Sequence, residues 1–370
     1  MKLRYKITGG ILIFLVVALS SLALILSHNS ACRPAPALAS KSELMKAIVY
    51  RCYGTADVLK VEDVEKPAPG DDELLVRVRA AAINPLDWHY MRGTPYVMRF
   101  RSGLGAPKSI RMGVDYAGTV EAVGRNVTQF KPGDAVFGGR NGALAGYLAV
   151  RADRAVVLKP ANITFEQAAS VPVAAITALQ GLRDAGKLQP GQKVLINGAS
   201  GGVGTFAVQI AKSFGAEVTG VCGTGNVDMV RSIGADHVFD YTKEDFTRSE
   251  QRYDVILDNV GNRPLLDIRG IMQSEGRYVL IGGGGPDDGK WVGVLVGPIK
   301  ALVLSKFVSQ DMGMMLSELK KEDLVFLADL MAAGQVTPVI DRRFGLNEVP
   351  EAIRYLETGR ARGKVVITLE

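Results

Sequence analysis

The chain has 370 residues, 47% of them hydrophobic and 22% charged, which is the balance of a folded protein long enough for two domains. The formal net charge is +6, with no run of five or more like charges. This charge indicates a mild attraction for an anionic cofactor or for lipid headgroups. No sequence motif indicates nucleic-acid binding. The cysteines Cys32, Cys52 and Cys222 form no C-x-x-C pair, which argues against a zinc knuckle and a disulfide framework and fits a reducing compartment.

The N-terminal segment carries an apolar run from residue 9 to residue 27, which is 19 residues without a charge. A membrane-spanning helix needs about 20 such residues, whereas the apolar region of a secretory signal has about 7–15. The length therefore predicts an uncleaved, single-pass anchor in the lipid bilayer. Residues 1–43 are predicted to be this anchor and a linker, with the catalytic domain on the cytoplasmic side.

Two cleavage alternatives stay open beside the anchor. Asn29-Ser30-Ala31-Cys32 resembles a lipoprotein box, although Asn29 replaces the expected aliphatic residue. Ala37-Leu38-Ala39 has the A-x-A form of a signal-peptide cleavage site, although it lies far from the apolar run. The apolar run has three basic residues on either side, so the positive-inside rule does not decide the orientation.

Residues 46–160 have the pattern of a β-rich domain. Short apolar or alternating segments predict strands at 46–50, 72–83, 113–124 and 135–137, and a Lys-Pro-Gly-Asp turn precedes the last of them.

After Pro160 the pattern alternates between strands and helices. Strands are predicted at 193–197, 217–222, 237–239, 253–258 and 277–281, with helices at 203–214 and 227–233. This alternation predicts a doubly wound parallel sheet. The tail from residue 336 returns to β character and ends in a strand at 364–367.

A glycine-rich turn carries the clearest chemical signal. Asn197-Gly198-Ala199-Ser200-Gly201-Gly202-Val203-Gly204 lies directly after a predicted strand and opens a predicted helix. Glycines let the backbone approach a pyrophosphate, and the helix N-terminus offers free N–H groups to it. Such a stretch alone is often only a turn, but the strand–turn–helix context favours a dinucleotide site.

The next strand indicates which dinucleotide is bound. An NAD site expects an acidic residue about 20 positions beyond the glycines, and here Cys222 stands there without an acid nearby. Because no carboxylate repels it, the 2′-phosphate of NADPH can lie in this loop. Thr224 and Asn226 are expected to contact this phosphate. The sequence therefore favours NADPH, unless the loop is merely flexible.

Several motifs together resemble one known family. They are Ile83-Asn84-Pro85-Leu86-Asp87-Trp88, the strand of residues 113–124, Phe130-Lys131-Pro132-Gly133-Asp134, the glycine turn and Gly363-Lys364-Val365-Val366. Residues from about 46 to 370 thus resemble the zinc-independent quinone oxidoreductase branch of the medium-chain dehydrogenase/reductases. The resemblance implies a GroES-like catalytic domain at 44–165, completed by 336–370, around a Rossmann NADP-binding domain at 166–335. It also allows a homodimer.

The resemblance implies cofactor contacts along most of the chain. Thr177 is expected at the nicotinamide carboxamide and Tyr241 against the 2′-phosphate, although Gly225 stands where close relatives often have Arg or Lys. The complete expected cofactor set is Asn84, Thr177, Gly198, Ala199, Ser200, Gly201, Gly202, Val203, Gly204, Thr224, Asn226, Tyr241, Val260, Gly282, Gly283 and Lys364.

No metal is expected, because the positions that match the zinc ligands of zinc-dependent relatives hold Asn84, Val114 and Val173. The carbonyl oxygen of a substrate must then be polarised by hydrogen-bond donors. Asn84, His89 and Tyr96 are the catalytic candidates, and a protonated His89 would also suit proton delivery. The expected reaction is reduction of a quinone or an α,β-unsaturated carbonyl by hydride transfer; the alternative is a non-catalytic, membrane-tethered NADPH-binding sensor or scaffold.

Overall fold

A computed structural model describes residues 2–36, 43–282, 285, 289–291 and 293–369. Two central sheets organise the described chain, one mostly antiparallel and one parallel. The alternating and apolar segments found in the sequence supply their strands. Predicted Gly283 and the candidate cleavage motif Ala37-Leu38-Ala39 lie outside the described residues.

The first sheet has seven strands and includes the C-terminal end of the chain. Its order is β14-β15-β3-β4-β5-β7, and β6 pairs with β3. A separate two-stranded ladder pairs β1 with β2. The strands of both ladders are β1 Leu44–Val49, β2 Lys60–Glu65, β3 Glu73–Ile83, β4 Asp115–Val123, β5 Ala135–Gly139, β6 Tyr147–Arg151, β7 Val156–Leu158, β14 Ile340–Gly345 and β15 Lys364–Thr368.

The second sheet has six parallel strands in the order β10-β9-β8-β11-β12-β13. This is the doubly wound order, in which ligands bind at the carboxyl ends of the strands where the order reverses, between β8 and β11. The strands are β8 Lys193–Asn197, β9 Glu217–Cys222, β10 His237–Asp240, β11 Tyr253–Asp258, β12 Met272–Leu280 and β13 Asp311–Met314. The predicted α/β class, with a GroES-like and a Rossmann-like part, is confirmed.

Helices cover this parallel sheet and close the end of the first one. The helices are α1 Lys2–Ser27, α2 Pro85–Arg92, α3 Arg99–Ser102, α4 Phe165–Ala169, α5 Pro172–Gln180, α6 Gly202–Ser213, α7 Val227–Ser232, α8 Leu265–Gly270, α9 Gly293–Leu304, α10 Lys321–Ala332 and α11 Val349–Glu357. One apolar cluster includes Ala80 and Ala117 of the first sheet together with Ile196 and Phe206 of the second unit. The two units therefore share a continuous core, which fixes their relative position.

The N-terminal apolar run lies within α1. Among the described residues, no helix combines the length and the apolar character that crossing a membrane requires. The predicted anchor over residues 9–27 is therefore not supported.

The end of α1 is held against the first sheet's domain by Arg99, a buried side chain. Arg99 Nη1 donates to the carbonyl oxygens of Leu26 (2.8 Å) and His28 (2.9 Å), and its Nε donates to Gly93 O (2.8 Å). The guanidinium lies over the rings of Tyr53 and Tyr96, 4.4 and 4.5 Å from their centroids. Arg99 thus caps the last turn of α1, whose carbonyls have no partner inside the helix.

A disulfide joins the same two parts of the chain. Cys32 and Cys52 are bonded, with their Cα atoms 4.5 Å apart, while Cys222 is free and buried. The cysteine pattern argued against a disulfide framework and did not predict this single bond, because folding places the segment after α1 beside residue 52, a proximity that Cys spacing cannot show. Cys32 in this bond is also unavailable for the lipid modification that a lipoprotein box requires.

Replacing both Cys32 and Cys52 by Ser is expected to lower the free energy of unfolding by about 3 kcal/mol, because the bond closes a loop of 20 residues. Urea unfolding without reductant measures this loss. Dithiothreitol should reproduce it in the wild-type protein and leave the double variant unchanged. Equal stability of the two proteins without reductant would contradict the structure.

Candidate cofactor and substrate site

The glycine turn adopts the close backbone path expected from its sequence. Gly198 has a φ of +77°, a left-handed conformation that suits glycine. A Cβ at Gly204 would collide with the carbonyl oxygen of Gly198, so only glycine lets α6 start this close to β8. The N-terminus of α6 has no side-chain cap, which leaves its first N–H groups available to an anion.

A cavity of about 750 Å³ opens beside this turn, at the carboxyl ends of the parallel strands. Twelve of the sixteen predicted cofactor residues line it. Its volume and its lining suit a dinucleotide. These twelve are Asn84, Gly198, Ser200, Gly201, Gly202, Val203, Gly204, Thr224, Asn226, Tyr241, Val260 and Lys364.

Three further predicted cofactor residues lie in the described chain but do not line the cavity. Ala199 is buried behind the turn, with its N–H donating to Val221 O (3.0 Å). The Thr177 hydroxyl donates to Val173 O (2.7 Å) and lies 2.8 Å from the Ser317 hydroxyl. Gly282 follows β12 and is half-buried.

Two side-chain oxygens in this cavity are unused by the protein. Asn226 Oδ1 and Asn259 Oδ1 are buried and have no hydrogen-bond partner among the described residues. Buried polar atoms without a partner are costly, so two such acceptors in one cavity indicate a ligand with donor groups. The amines and hydroxyls of a dinucleotide fit this requirement. Asn259 was missed by the sequence analysis, because nothing in its local sequence distinguishes it from an ordinary loop asparagine.

A buried ion pair lies at the edge of the cavity, between two strands of the first sheet. The Lys364 ammonium lies 2.5 Å from Asn84 Oδ1 and 3.2 Å from Asp115 Oδ2, and it also approaches Ile83 O. Asn84 Nδ2 donates to the same Asp115 oxygen (2.9 Å), and Val173 N donates to the other one (2.9 Å). Burial raises the pKa of Asp115 and the positive charge of Lys364 opposes that rise. We call Lys364, Asp115 and Asn84 the lysine cluster.

The segment before β15 docks directly on the glycine turn. Gly363 N donates to Ser200 O (2.9 Å), and Gly201 and Gly363 form a parallel bridge. Gly363 has a φ of +97°, and a Cβ there would collide with Val339 O. The aliphatic stem of Lys364 passes over Gly202, so the C-terminal segment forms one wall of the cavity.

The loop after β9 has a different polar arrangement from the one expected. The Thr224 hydroxyl donates to Asp240 Oδ2 (2.7 Å) and is therefore not free to donate to a phosphate. Hydrogen bonds from Thr242 and from Thr224 hold the pKa of Asp240 well below its usual range. Tyr241 places its hydroxyl beside Gly223 at the cavity wall.

The cation that this loop lacks comes from the C-terminal segment. Arg362 lines the cavity, and its guanidinium lies 3.3 Å from the position that a Cβ on Gly225 would take. Arg360 lines the same wall. Arg362 is not among the predicted cofactor residues, because it reaches the loop from a segment more than 130 positions further along the chain. The pattern Arg-x-Arg-Gly-Lys before the last strand was the available signal.

His89 and Tyr96 lie outside the cofactor cavity. His89 is half-buried, and its Nδ1 is 2.7 Å from Thr94 O. Tyr96 N donates to Lys290 O (2.8 Å), and its ring meets Trp291 edge-on at 4.8 Å. Because Lys290 and Trp291 follow β12, Tyr96 makes a contact between the two units.

Three positions match the zinc ligands of zinc-dependent relatives. Asn84, Val114 and Val173 stand at the expected ligand positions, and Val114 and Val173 have no ligand atom in their side chains. Within the described residues, no three His, Cys, Asp or Glu side chains converge as a metal-binding group would.

Comparison with known proteins agrees with this architecture. Residues 70–161 match the alcohol dehydrogenase GroES-like domain family, and residues 233–367 match the zinc-binding dehydrogenase family. The 2-methylene-furan-3-one reductase of Solanum lycopersicum is 36% identical over 356 residues, covering 92% of this chain and 83% of that protein. The chloroplastic NADPH-dependent alkenal/one oxidoreductase of Arabidopsis thaliana is 34% identical, covering 89% of this chain and 81% of that protein.

Solved structures show the same relationship. The quinone oxidoreductase from Coxiella burnetii superposes with a TM-score of 0.77 at 28% identity, covering 89% of this chain and all of that one. The chain belongs to the medium-chain dehydrogenase/reductase superfamily, in its quinone oxidoreductase-like branch. It is an oxidoreductase that uses NAD(P)H.

Proposed function

We propose that this protein reduces α,β-unsaturated carbonyl compounds or quinones, with NADPH as the electron donor. The observation that supports the proposal most directly is the cavity at the glycine turn. Arg362 lines this cavity beside Gly225. Bound NADPH would supply a hydride to the electron-poor carbon of the acceptor. The names of the alkenal/one reductase and quinone oxidoreductase relatives support these two acceptor classes.

The charge of the cavity wall favours NADPH over NADH. Arg362 can pair with a 2′-phosphate but gains little from a ribose hydroxyl, because charge-assisted hydrogen bonds are stronger than neutral ones. Asp240, which ends β10, is already engaged by Thr224 and Thr242, and it does not line the cavity. Arg362 thus performs the role that was expected of Thr224.

Asn84 is the proposed donor to the substrate carbonyl oxygen. Its amide is held in place because Oδ1 accepts from Lys364 and one N–H donates to Asp115. The second N–H of Nδ2 remains for the ligand, since Asn84 lines the cavity. A donor fixed in advance stabilises the charge that develops on oxygen without reorganisation.

His89 is better suited to accept a proton than to donate one. Thr94 O can only accept a hydrogen bond, so the geometry places the proton of His89 on Nδ1. Burial lowers the pKa of His89, which favours the neutral ring and leaves Nε2 as an acceptor. The edge-on contact between Tyr96 and Trp291 then helps to hold the two units together.

Turnover of the purified full-length protein tests the proposal. Loss of NADPH absorbance should depend on an added enone or quinone and should persist with EDTA, because the lysine cluster positions a hydrogen-bond donor where relatives use zinc. Saturable NADPH binding with no oxidation by any acceptor would contradict the proposal. That outcome would instead support the non-catalytic binding protein.

Arg362→Gln is expected to reduce the preference for NADPH over NADH by about 10- to 100-fold in kcat/KM, since one charge-assisted hydrogen bond contributes about 1.5–3 kcal/mol. Rates with both cofactors and a single acceptor measure the ratio. Arg354→Gln is the matched control, because Arg354 pairs with Asp57 outside the cavity. An unchanged ratio in Arg362→Gln would show that the 2′-phosphate lies elsewhere.

A further inference from the structure

Arg362 belongs to a short segment without regular structure, residues 358–363, between α11 and β15. This segment lines the cofactor cavity through Gly359, Arg360, Ala361 and Arg362. An exposed arginine on such a segment loses much conformational freedom when it binds a phosphate, so binding is tighter when its main chain is already held in place. The contacts that hold this segment therefore affect cofactor binding.

The main-chain N–H of Arg362 is bonded to a side chain that lies 21 positions earlier in the sequence. It donates to Asp341 Oδ2 (3.0 Å). The guanidinium of Arg362 stays at the cavity wall beside Gly225. Asp341 thus holds the main chain of Arg362 and leaves its charged group to the cavity.

A β-bulge aims the Asp341 side chain at this segment. In the parallel pair of β14 and β15, Ile340 lies opposite Lys364 and Arg342 lies opposite Val365, so Asp341 is the extra residue of the bulge. A bulge re-aims a side chain relative to a regular strand. The carboxylate of Asp341 accordingly reaches the segment that precedes β15.

Tyr355 of α11 also holds the Asp341 carboxylate. Its hydroxyl donates to the same oxygen, Oδ2 (2.5 Å). Burial and the neighbouring carboxylate raise the pKa of Tyr355, so the hydroxyl stays protonated and remains a donor. The guanidinium of Arg342 lies 3.8 Å from the centroid of the Tyr355 ring. The carboxylate oxygen is thereby fixed in a position where it also accepts from Arg362 N.

Asp341 has no place among the residues that would touch the cofactor. It is half-buried and does not line the cavity. Because both of its donors use the same oxygen, the bonding requires an acceptor with two lone pairs and does not require a negative charge. An asparagine at this position can therefore replace it.

We infer that Asp341 is a positioning residue for cofactor selection: it holds the main chain of Arg362 and so sets where the guanidinium meets the 2′-phosphate of NADPH. This rests on the proposed preference for NADPH, and it assigns that preference to Asp341 and Arg362 together. Asp341 acts through Arg362. NADH, which has no 2′-phosphate, is bound equally well with or without this support.

Binding of NADP⁺ and NAD⁺ to the purified full-length protein tests the inference without requiring turnover. Asp341→Ala should weaken NADP⁺ binding about 5- to 10-fold in calorimetry, as the loss of one well-placed hydrogen bond does, and should leave NAD⁺ binding within about twofold. Asp341→Asn should keep the wild-type preference, because its amide oxygen can accept both hydrogen bonds.

Two further variants show whether Asp341 acts through Arg362. The double variant of Asp341→Ala and Arg362→Gln should bind NADP⁺ as Arg362→Gln alone does, because only independent effects add. Tyr355→Phe keeps the ring and removes the hydroxyl that orients the carboxylate. It should lower the NADP⁺ preference by a smaller factor, about 2- to 3-fold.

Asp254→Ala is the matched control. The carboxylate of Asp254 likewise accepts from a distant main-chain N–H, that of Lys193 (2.8 Å), and neither residue lines the cavity. The control variant should therefore lose stability without any change in the ratio of NADP⁺ to NAD⁺ affinity.

The outcomes separate this inference from the proposals on which it rests. Wild-type protein that binds NADP⁺ no more tightly than NAD⁺ contradicts the NADPH preference and this inference with it. A wild-type preference that Asp341→Ala and Tyr355→Phe both leave unchanged, or that Asp254→Ala lowers equally, overturns the role of Asp341 alone. Failure to reduce any enone or quinone contradicts the reductase proposal and leaves the binding result standing.

Discussion

The position of Lys364 in the buried lysine cluster is the constraint on which the rest of the site depends. A buried ammonium is costly unless it is paired and hydrogen-bonded, and Asp115 and Asn84 satisfy both needs. Because Lys364 begins β15, Asp115 begins β4 and Asn84 follows β3, these groups meet only when the three strands lie side by side. The cluster therefore couples sheet formation to the orientation of the Asn84 amide.

The same constraint places the C-terminal segment on the glycine turn. With Lys364 fixed, Gly363 reaches Ser200 and Arg362 reaches Gly225, so one tripeptide links the two units and completes the cofactor wall. The proposed contact of Arg362 with the cofactor and the proposed carbonyl donor Asn84 thus both depend on a single buried ion pair.

Sequence patterns predicted the fold and the phosphate-binding turn but not the groups that arrive from distant segments. The strands at 193–197, 217–222 and 253–258 were predicted to the residue, because parallel strands are continuous apolar runs with clear turns. Arg362, Asn259 and the Cys32–Cys52 bond depend on contacts between remote positions, which local periodicity does not encode. The membrane anchor over residues 9–27 was predicted from the length of the apolar run alone. The described part of the chain contains no helix able to cross a membrane, and Arg99 binds the end of α1. The roles of Asn84, His89 and Tyr96 remain proposals.

A double-mutant cycle on Lys364 and Asp115 tests the central claim most directly. The free energy of unfolding is measured by urea denaturation for the wild-type protein, Lys364→Met, Asp115→Asn and the double variant. The account predicts that Lys364→Met alone is strongly destabilising, because it leaves a buried carboxylate unpaired, and that the double variant recovers about 2 kcal/mol or more of the summed losses. Additive losses would contradict it, since they would mean that the two charges do not stabilise each other in the folded protein.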